Sequence, residues 1–349
     1  MARQFHIAPP TVNAFRRALP RWYRRHKRNL PWRQTRDPYA IWVSEIMLQQ
    51  TRVETVIPYY QRWLRAFPTI ESLARAPLSR VLRLWEGLGY YHRARHLHRA
   101  ARQLVSSANN PNNRDNPNHL ILQSGQSVER SFQSLAAFFR RLPGVGRYTA
   151  GAIASIAFDE RAALVDGNVA RVLARVFNIR ANVKRTTTQR RLWALAEALL
   201  PARGCGEFNQ ALMELGALVC LPSSPRCEEC PLRRVCKMPG DTLPNRGPKR
   251  RMTPVTQDVV WMRRDGKIRL CRRPAKGLLA GLWELPPREN GGGQLLLTLR
   301  HTIMNRRITL RVFAGDSGAG QWVSCRSLAR RAMPVAHRRA VTALLSAQQ

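Results

Sequence analysis

Four cysteines in one short run constrain this chain more than any other feature. Their spacing is C-x6-C-x2-C-x5-C, and the four are Cys220, Cys227, Cys230 and Cys236. Four thiolates this close together can hold one inorganic centre. Structural zinc sites usually take two separated C-x2-C pairs, and this run has only one. The uneven, compact spacing suits the four corners of a [4Fe–4S] cluster better.

Two other interpretations of the run stay open, namely a zinc site and ordinary buried thiols or disulfides. The other cysteines, Cys205, Cys271 and Cys325, are isolated, so no disulfide framework is visible and a reducing, intracellular compartment is expected. Arg233 and Arg234 lie inside the cysteine run. A cluster there would therefore act as a structural clip that presents a basic loop.

The charge balance points to a polyanionic partner. Lys and Arg number 59 against 21 Asp and Glu, a net charge of +38. Ten of these cations precede the first acidic residue, Asp37, and Trp22, Tyr23 and Trp32 are interleaved with them. An excess of this size most often serves nucleic-acid binding. A generally Arg-rich proteome is the alternative, whereas the lack of a lipid-facing stripe argues against a membrane surface.

The length and local composition indicate two domains. At 349 residues the chain can bury two cores. Asn, Ser and Pro are frequent at 106–128, which indicates a loop or insertion. Pro, Gly, Lys and Arg are frequent at 239–254, which indicates a linker. The pattern is helical before the linker. After it, short strands are predicted at 259–262, 268–270, 295–297 and 308–313, followed by a helix near 337–346. No segment is apolar and long enough to cross a membrane, and the N-terminus has no apolar signal core.

The segment 37–66 is the most informative predicted helix. Asp37 can cap it and Pro38 suits its first position. Ile41, Glu45 and Leu48 then share one face, which places a carboxylate among apolar side chains. Burial should raise the pKa of that carboxylate toward neutrality, as a general acid requires. A solvated or paired structural glutamate is the alternative, and the pattern alone favours it.

Two further motifs combine glycines with the start of a helix. Leu142-Pro143-Gly144-Val145-Gly146 precedes a predicted helix from Arg147, and its free backbone N–H groups could bind a DNA phosphate. A plain turn is the alternative. Asp166 stands before Gly167 in Leu164-Val165-Asp166-Gly167-Asn168-Val169, and the pattern alone favours a simple helix cap there.

Taken together, the motifs resemble the MutY family of adenine DNA glycosylases, within the helix-hairpin-helix superfamily. The resemblance is close over residues 14–245 and looser over 252–349. It rests on motifs that match in order and type: Leu30-Pro31-Trp32-Arg33, residues 43–51 (VSEIMLQQT), residues 85–91 (WEGLGYY), residues 142–146, residues 165–169, Phe208-Asn209-Gln210-Ala211 and the four cysteines.

The resemblance implies a fold and a set of domains. The fold is mainly α: a helix-hairpin-helix glycosylase domain over 1–238, with a six-helix barrel and a [4Fe–4S] module at 220–236. The linker at 239–254 then leads to a smaller α+β, Nudix-like domain over 255–349. The partner implied is duplex DNA that contains an adenine mispair. We expect a monomer without membrane association, in bacterial cytoplasm at the nucleoid.

The resemblance also implies a chemistry. Adenine opposite 8-oxoguanine, or guanine, is flipped into a pocket. Glu45 would protonate the adenine and then activate water, and Asp166 would stabilise the oxocarbenium ion. Asn168 and Tyr148 would support these two carboxyl groups. The implied pocket residues are Trp32, Arg33, Leu48, Val53, Gln210 and Met213. The implied DNA contacts are Gln50, Thr51, Leu88, Tyr90, Gly144 and Gly146.

Two alternatives differ in chemistry. An endonuclease III-like glycosylase/lyase carries a nucleophilic lysine after the hairpin. Tyr148 stands at that position here, so a monofunctional enzyme is favoured. A non-catalytic module that holds damaged DNA would need neither Glu45 nor Asp166.

The C-terminal domain departs from the family pattern in two places. A short stretch, 289–293, stands where the family usually has a helical segment. The loop that usually contains Phe-Ser-His falls at Ile303-Met304-Asn305. Methionine offers no strong hydrogen-bond donor or acceptor to a lesion. We therefore expect a weakened preference for 8-oxoguanine over guanine.

Overall fold

The computed structural model describes residues 7–108, 134–238, 243–245, 247, 251–289, 293–316 and 318–347. The chain divides into two compact units, residues 1–71 with 99–248 and residues 72–98 with 249–349. Most of the predicted insertion at 106–128 and half of the predicted linker at 239–254 lie outside the described residues. The domain limits at 238 and 255 stay a prediction.

Helices dominate the chain as far as the cysteine run. They are α1 Pro9–Asn13, α2 Leu19–His26, α3 Pro38–Leu48, α4 Val53–Ala66, α5 Ile70–Arg75, α6 Leu78–Trp85, α7 His92–Ala108, α8 Leu135–Phe139, α9 Arg147–Phe158, α10 Gly167–Val176, α11 Thr186–Leu199 and α12 Cys205–Leu218. A π-helical turn, Ala14–Ala18, joins α1 to α2, and short 3-10 segments lie at Pro31–Arg33, Cys227–Glu229 and Arg233–Val235.

Helix α3 lies inside the first unit. Every residue from Pro38 to Met47 is buried, because the helix is apolar around almost its whole circumference. Asp37 caps it by accepting a hydrogen bond from Tyr39 N, as predicted. The predicted helix over 37–66 is wrong in one respect, since residues 49–52 form a turn that separates α3 from α4.

Helices α9 and α12 approach each other closely beside the cavity described below. A Cβ atom at Gly206 would lie 2.4 Å from Ser155 O, so only glycine fits there. Asp159 ends α9 in a left-handed conformation and accepts hydrogen bonds from the N–H groups of Gly204 and Gly206. These contacts set the position of α12, which carries several cavity residues.

The second unit combines two sheets with helix α13, Val335–Ser346. Its strands are β1 Thr253–Trp261, β2 Arg263–Arg264, β3 Lys267–Arg272, β4 Trp283–Glu284, β5 Leu295–Ile303, β6 Arg306–Ala314 and β7 Gln321–Ser324. One sheet has the order β1-β6-β5, with β1 parallel and β5 antiparallel to β6. In the other, β3 pairs with β2, β4 and β7.

The change from helices to strands after the linker is confirmed. The four predicted strands correspond to β1, β3, β5 and β6, although β5 is three times as long as predicted. Strand β1 begins at Thr253, within the predicted linker. Within the described ranges, no helix has both the length and the hydropathy to span a bilayer.

Candidate active site

A cavity of about 550 Å³ in the first unit gathers twelve of the predicted site residues. They line it together: Trp32, Arg33, Glu45, Leu48, Gln50, Thr51, Val53, Tyr148, Asp166, Asn168, Gln210 and Met213. Segments far apart in sequence contribute to it, namely the Pro31–Arg33 turn, helices α3, α9 and α12, and the start of α10.

Glu45 is a buried carboxyl group in the wall of this cavity. It projects from α3 and is 5% exposed. Burial raises its pKa from 4.5 to about 7, and the nearby Asp166 carboxylate adds to the rise. A hydrogen bond from Tyr148 and the charge of Arg33 act in the opposite direction. The predicted shift toward neutrality is thus confirmed, and a carboxyl group in this state can give and take a proton near pH 7.

Tyr148 links Glu45 to the opposite wall. Its hydroxyl donates to Glu45 Oε2 at 2.7 Å and lies 3.3 Å from Met213 Sδ. Burial and the two neighbouring carboxyl groups raise the pKa of Tyr148, so the phenol keeps its proton. Tyr148 is therefore the hydrogen-bond donor that orients the Glu45 carboxyl group.

Asp166 both caps a helix and faces the cavity. Its Oδ1 accepts from Val169 N at 2.6 Å, and its Oδ2 accepts from Asn168 Nδ2 at 3.0 Å. Burial raises its pKa, whereas these two N–H donors stabilise the carboxylate. Arg171 holds Asn168 in turn, donating to Asn168 Oδ1 at 2.8 Å and to Cys220 O at 2.7 Å. The cap interpretation of Asp166 is confirmed, and its functional role stays a prediction.

Flat and polar groups form the rest of the cavity wall. The ring of Trp32 is buried and meets Tyr60 edge-on at 5.4 Å. Gln210 Oε1 accepts a hydrogen bond from the Tyr23 hydroxyl at 3.2 Å. The Arg33 guanidinium lies over the ring of Tyr23, 5.4 Å from its centroid. Such a wall can stack on a planar ring and hydrogen-bond its edge.

Sequence reasoning missed Glu214, which also lines the cavity. This carboxylate is 1% exposed and forms ion pairs with Arg28 and Arg33. The available signal was local, because Gln210, Met213 and Glu214 stand at i, i+3 and i+4 on α12 and so share one face.

The predicted DNA contacts of the first unit lie in exposed turns. Gln50 is exposed with φ +59° in the turn after α3, and Gln49 donates to Thr149 Oγ1 at 3.2 Å beside it. Gly144 has φ +79°, and Gly146 caps α9 with open space where a Cβ would stand. Both glycines are exposed, whereas Val145 between them is buried.

In the second unit, Leu88 and Tyr90 differ sharply in exposure. Leu88 is 5% exposed, whereas Tyr90 is 36% exposed with φ +46°. Arg93 donates to Leu88 O at 2.9 Å, and Trp85 Nε1 donates to Gly89 O at 3.0 Å. These two hydrogen bonds stabilise the backbone at Leu88 and Gly89, and Tyr90 presents the more exposed side chain.

The four clustered cysteines line a second cavity, of about 180 Å³, in the first unit. All four are free thiols, and Arg175 Nη1 lies 3.4 Å from Cys220 Sγ. Burial and the other three cysteines raise the pKa of Cys230 to about 11. Within the part of the chain that is described, no three His, Cys, Asp or Glu side chains are arranged to share one metal ion.

The loop at Ile303-Met304-Asn305 forms the tip of the β5–β6 hairpin. Ile303 pairs with Arg306, so Met304 and Asn305 are the two turn residues. Met304 has φ +56° and is 62% exposed. It is therefore free to meet a partner molecule.

Comparison with known proteins gives the family. Residues 43–198 match the HhH-GPD superfamily of base excision DNA repair proteins, and residues 258–343 match the NUDIX domain. The adenine DNA glycosylase of Schizosaccharomyces pombe is 33% identical over 345 residues, covering 80% of this chain and 70% of the relative. The chain belongs to the adenine DNA glycosylase family.

Other relatives agree with this assignment. The adenine DNA glycosylases of Rattus norvegicus and Homo sapiens are 41% and 40% identical over 79% of the chain. The chain spans 60% and 57% of their lengths. A solved thermostable thymine-DNA glycosylase is 30% identical with a TM-score of 0.54, and the match covers 65% of this chain and 96% of that one.

Proposed function

We propose that the protein is a monofunctional adenine DNA glycosylase of base excision repair. Its substrate is adenine opposite 8-oxoguanine or guanine in duplex DNA. One observation carries the proposal: a buried carboxyl group with a pKa of about 7, Glu45, shares a 550 Å³ cavity with a second carboxyl group, Asp166. Family membership and the net charge of +38 support DNA as the partner.

The first step is acid-assisted departure of the base. Flipped adenine stacks on Trp32, and its edge meets Gln210 and Arg33. Glu45 gives its proton to a ring nitrogen of the adenine, and the C1′–N9 electron pair leaves with the base. The positive charge that develops on the sugar faces the Asp166 carboxylate. Hydrogen bonds from Val169 N–H and from the Asn168 side chain stabilise this carboxylate. Ionised Glu45 then takes a proton from the water that attacks C1′.

Strand cleavage through a Schiff base is not part of the proposal. The residues that line the cavity in the described part of the chain include no lysine. Tyr148, at the position of the lyase nucleophile, donates its hydroxyl proton to Glu45. A phenol held in this way supports acid catalysis instead of amine chemistry.

The cysteine cavity fits a [4Fe–4S] cluster. The four cysteines line one cavity without a disulfide, and burial together with the other three cysteines raises the pKa of Cys230, an electrostatic cost that a cationic centre would relieve. Cys220, Cys227, Cys230 and Cys236 would be the ligands. When bound, the cluster supplies structural cross-linking to a loop that exposes Arg233 and Arg234. We propose further that the protein acts as a monomer on nucleoid DNA in a bacterial cytoplasm.

A panel of duplexes tests the substrate. Each carries adenine, thymine, uracil or cytosine opposite guanine or 8-oxoguanine, and the released base is identified by mass spectrometry. We expect free adenine and an intact abasic strand. Release of thymine in preference to adenine, which the similarity to a thymine-DNA glycosylase makes a worthwhile control, would contradict the proposal.

A further inference from the structure

A buried carboxylate beside the adenine pocket takes no part in the mechanism above. Glu214 accepts five hydrogen bonds from two arginines. Three come from Arg28, through its backbone N at 2.9 Å, Nε at 3.1 Å and Nη2 at 2.7 Å. Two come from Arg33, through Nη1 and Nη2 at 2.8 Å each. Burial alone would raise the pKa of Glu214, but the hydrogen bonds from Arg33 and Arg28 lower it to about 2. It is therefore ionised throughout the range in which the enzyme works.

These bonds determine the orientation of Arg33. The two-point contact with Glu214 fixes the guanidinium plane, and a third bond from Nη1 to Arg28 O, at 3.1 Å, restrains it further. The ring of Tyr23 covers one face. Three of the five N–H donors are thus used. For the other two, at Nε and Nη2, the described part of the chain supplies no acceptor, which leaves them for the flipped base.

We propose that Glu214 is a positioning residue, which holds the Arg33 guanidinium in the wall of the adenine pocket and offsets its positive charge beside Glu45. This inference rests on the proposed function. The titratable and charged groups that act on Glu45 are Tyr148 from α9, Asp166 from the start of α10 and Arg33 from the Pro31–Arg33 turn. Of these only Arg33 is cationic. An Arg33 that was not neutralised would favour ionised Glu45 and so remove the proton that the reaction needs.

The decisive variant is Glu214→Gln, which keeps the shape and removes the charge. Single-turnover excision of adenine should slow by roughly 10- to 100-fold, the scale expected when a binding group loses its position. The fall in rate on the alkaline side should move to lower pH by about one unit, because Glu45 loses its proton more easily. Affinity for a duplex with a non-cleavable adenine analogue should change less than about threefold, since phosphate contacts dominate it. Glu214→Asp, which keeps the charge, should recover the parental pH profile.

A double variant separates charge from shape. In the double variant Glu214→Gln with Arg28→Gln, the three side chains at positions 28, 33 and 214 carry the same net charge as in the parent. The pH at which its excision rate falls on the alkaline side should return to within about half a unit of the parental value. Glu207→Gln is the matched control, because Glu207 also lies on α12 and forms a two-point contact with an arginine, Arg24, at the surface. It should leave both the rate and the pH profile unchanged.

A second measurement does not depend on which base is excised. The ¹³C shift of the Glu45 carboxyl carbon, assigned with Glu45→Gln, gives the pKa of Glu45 in the DNA-free protein. It should fall by about one unit in Glu214→Gln. An unchanged value, or a rate loss that only follows a loss of folded protein, overturns the proposal. If the parent excises no adenine, the proposed function fails, and this titration still decides the role of Glu214.

Discussion

Replacing Glu45 by glutamine should stabilise the protein at alkaline pH while it inactivates the enzyme. The pKa of Glu45 is about 7 in the folded chain, against 4.5 without burial. Between these values the folded chain holds a proton that the unfolded chain has released, so stability falls as pH rises through this window. One pKa unit corresponds to about 1.4 kcal/mol, which gives a penalty of about 3 kcal/mol at pH 8 and about 1 kcal/mol at pH 5.

Glu45→Gln removes this penalty, so its advantage over the parent should grow by about 2 kcal/mol from pH 5 to pH 8. The difference between the two pH values is the quantity to measure, because any fixed cost of the amide cancels. Hydrogen exchange at the amides of α3 reports the free energy of opening in the unit that contains Glu45. Glu207→Gln at the protein surface is the control. A stability difference between variant and parent that is the same at both pH values, or that shifts against the variant from pH 5 to pH 8, would refute the pKa that the structure gives Glu45.

Three further outcomes concern the cofactor, the reaction and the lesion. The purified protein should be brown, and Cys227→Ser should lower visible absorbance and DNA affinity; stoichiometric zinc without iron in the parent would contradict the cluster. Borohydride should trap little enzyme on DNA, and Tyr148→Lys should raise the trapped fraction, whereas efficient trapping by the parent favours a lyase. Met304→Ser with Asn305→His should strengthen the preference for 8-oxoguanine over guanine by about 1–3 kcal/mol, the worth of one base contact, in excision rates at one fixed salt. An unchanged ratio would show that this hairpin tip does not contact the lesion.

Local pattern predicted the burial of Glu45 and the helix start at Asp166 better than the turns between the helices. Glu45 was identifiable because a carboxylate at helical spacing from Ile41 and Leu48 must share their apolar face. Asp166 was selected as a candidate site residue because Gly167 follows it and because residues 165–169 match the family motif. The turn at Gln50 was missed because neither glycine nor proline marks it, and its left-handed backbone depends on the surrounding packing.

A contact between distant segments and two features of local sequence account for the other differences. The spacing of Gln210, Met213 and Glu214 placed Glu214 on the same helix face, but Glu214 meets Arg33 across 181 residues and no local period signals that pairing. Leu88, predicted as a DNA contact, has a buried side chain, and its carbonyl oxygen accepts a hydrogen bond from Arg93. Strand β5 was underestimated because its outer face is polar beyond Leu297, so only its apolar start was visible in the sequence.

The most direct test of the central claim is single-turnover excision of adenine opposite 8-oxoguanine by the parent and by Glu45→Gln. Affinity for a non-cleavable duplex is measured in parallel, at the same salt. Glu45 is the acid in this account, so the variant should bind DNA as the parent does and excise adenine at least about 10²-fold more slowly. A variant that releases adenine at the parental rate would remove Glu45 from the mechanism, and a parent that releases none would contradict the proposed function itself.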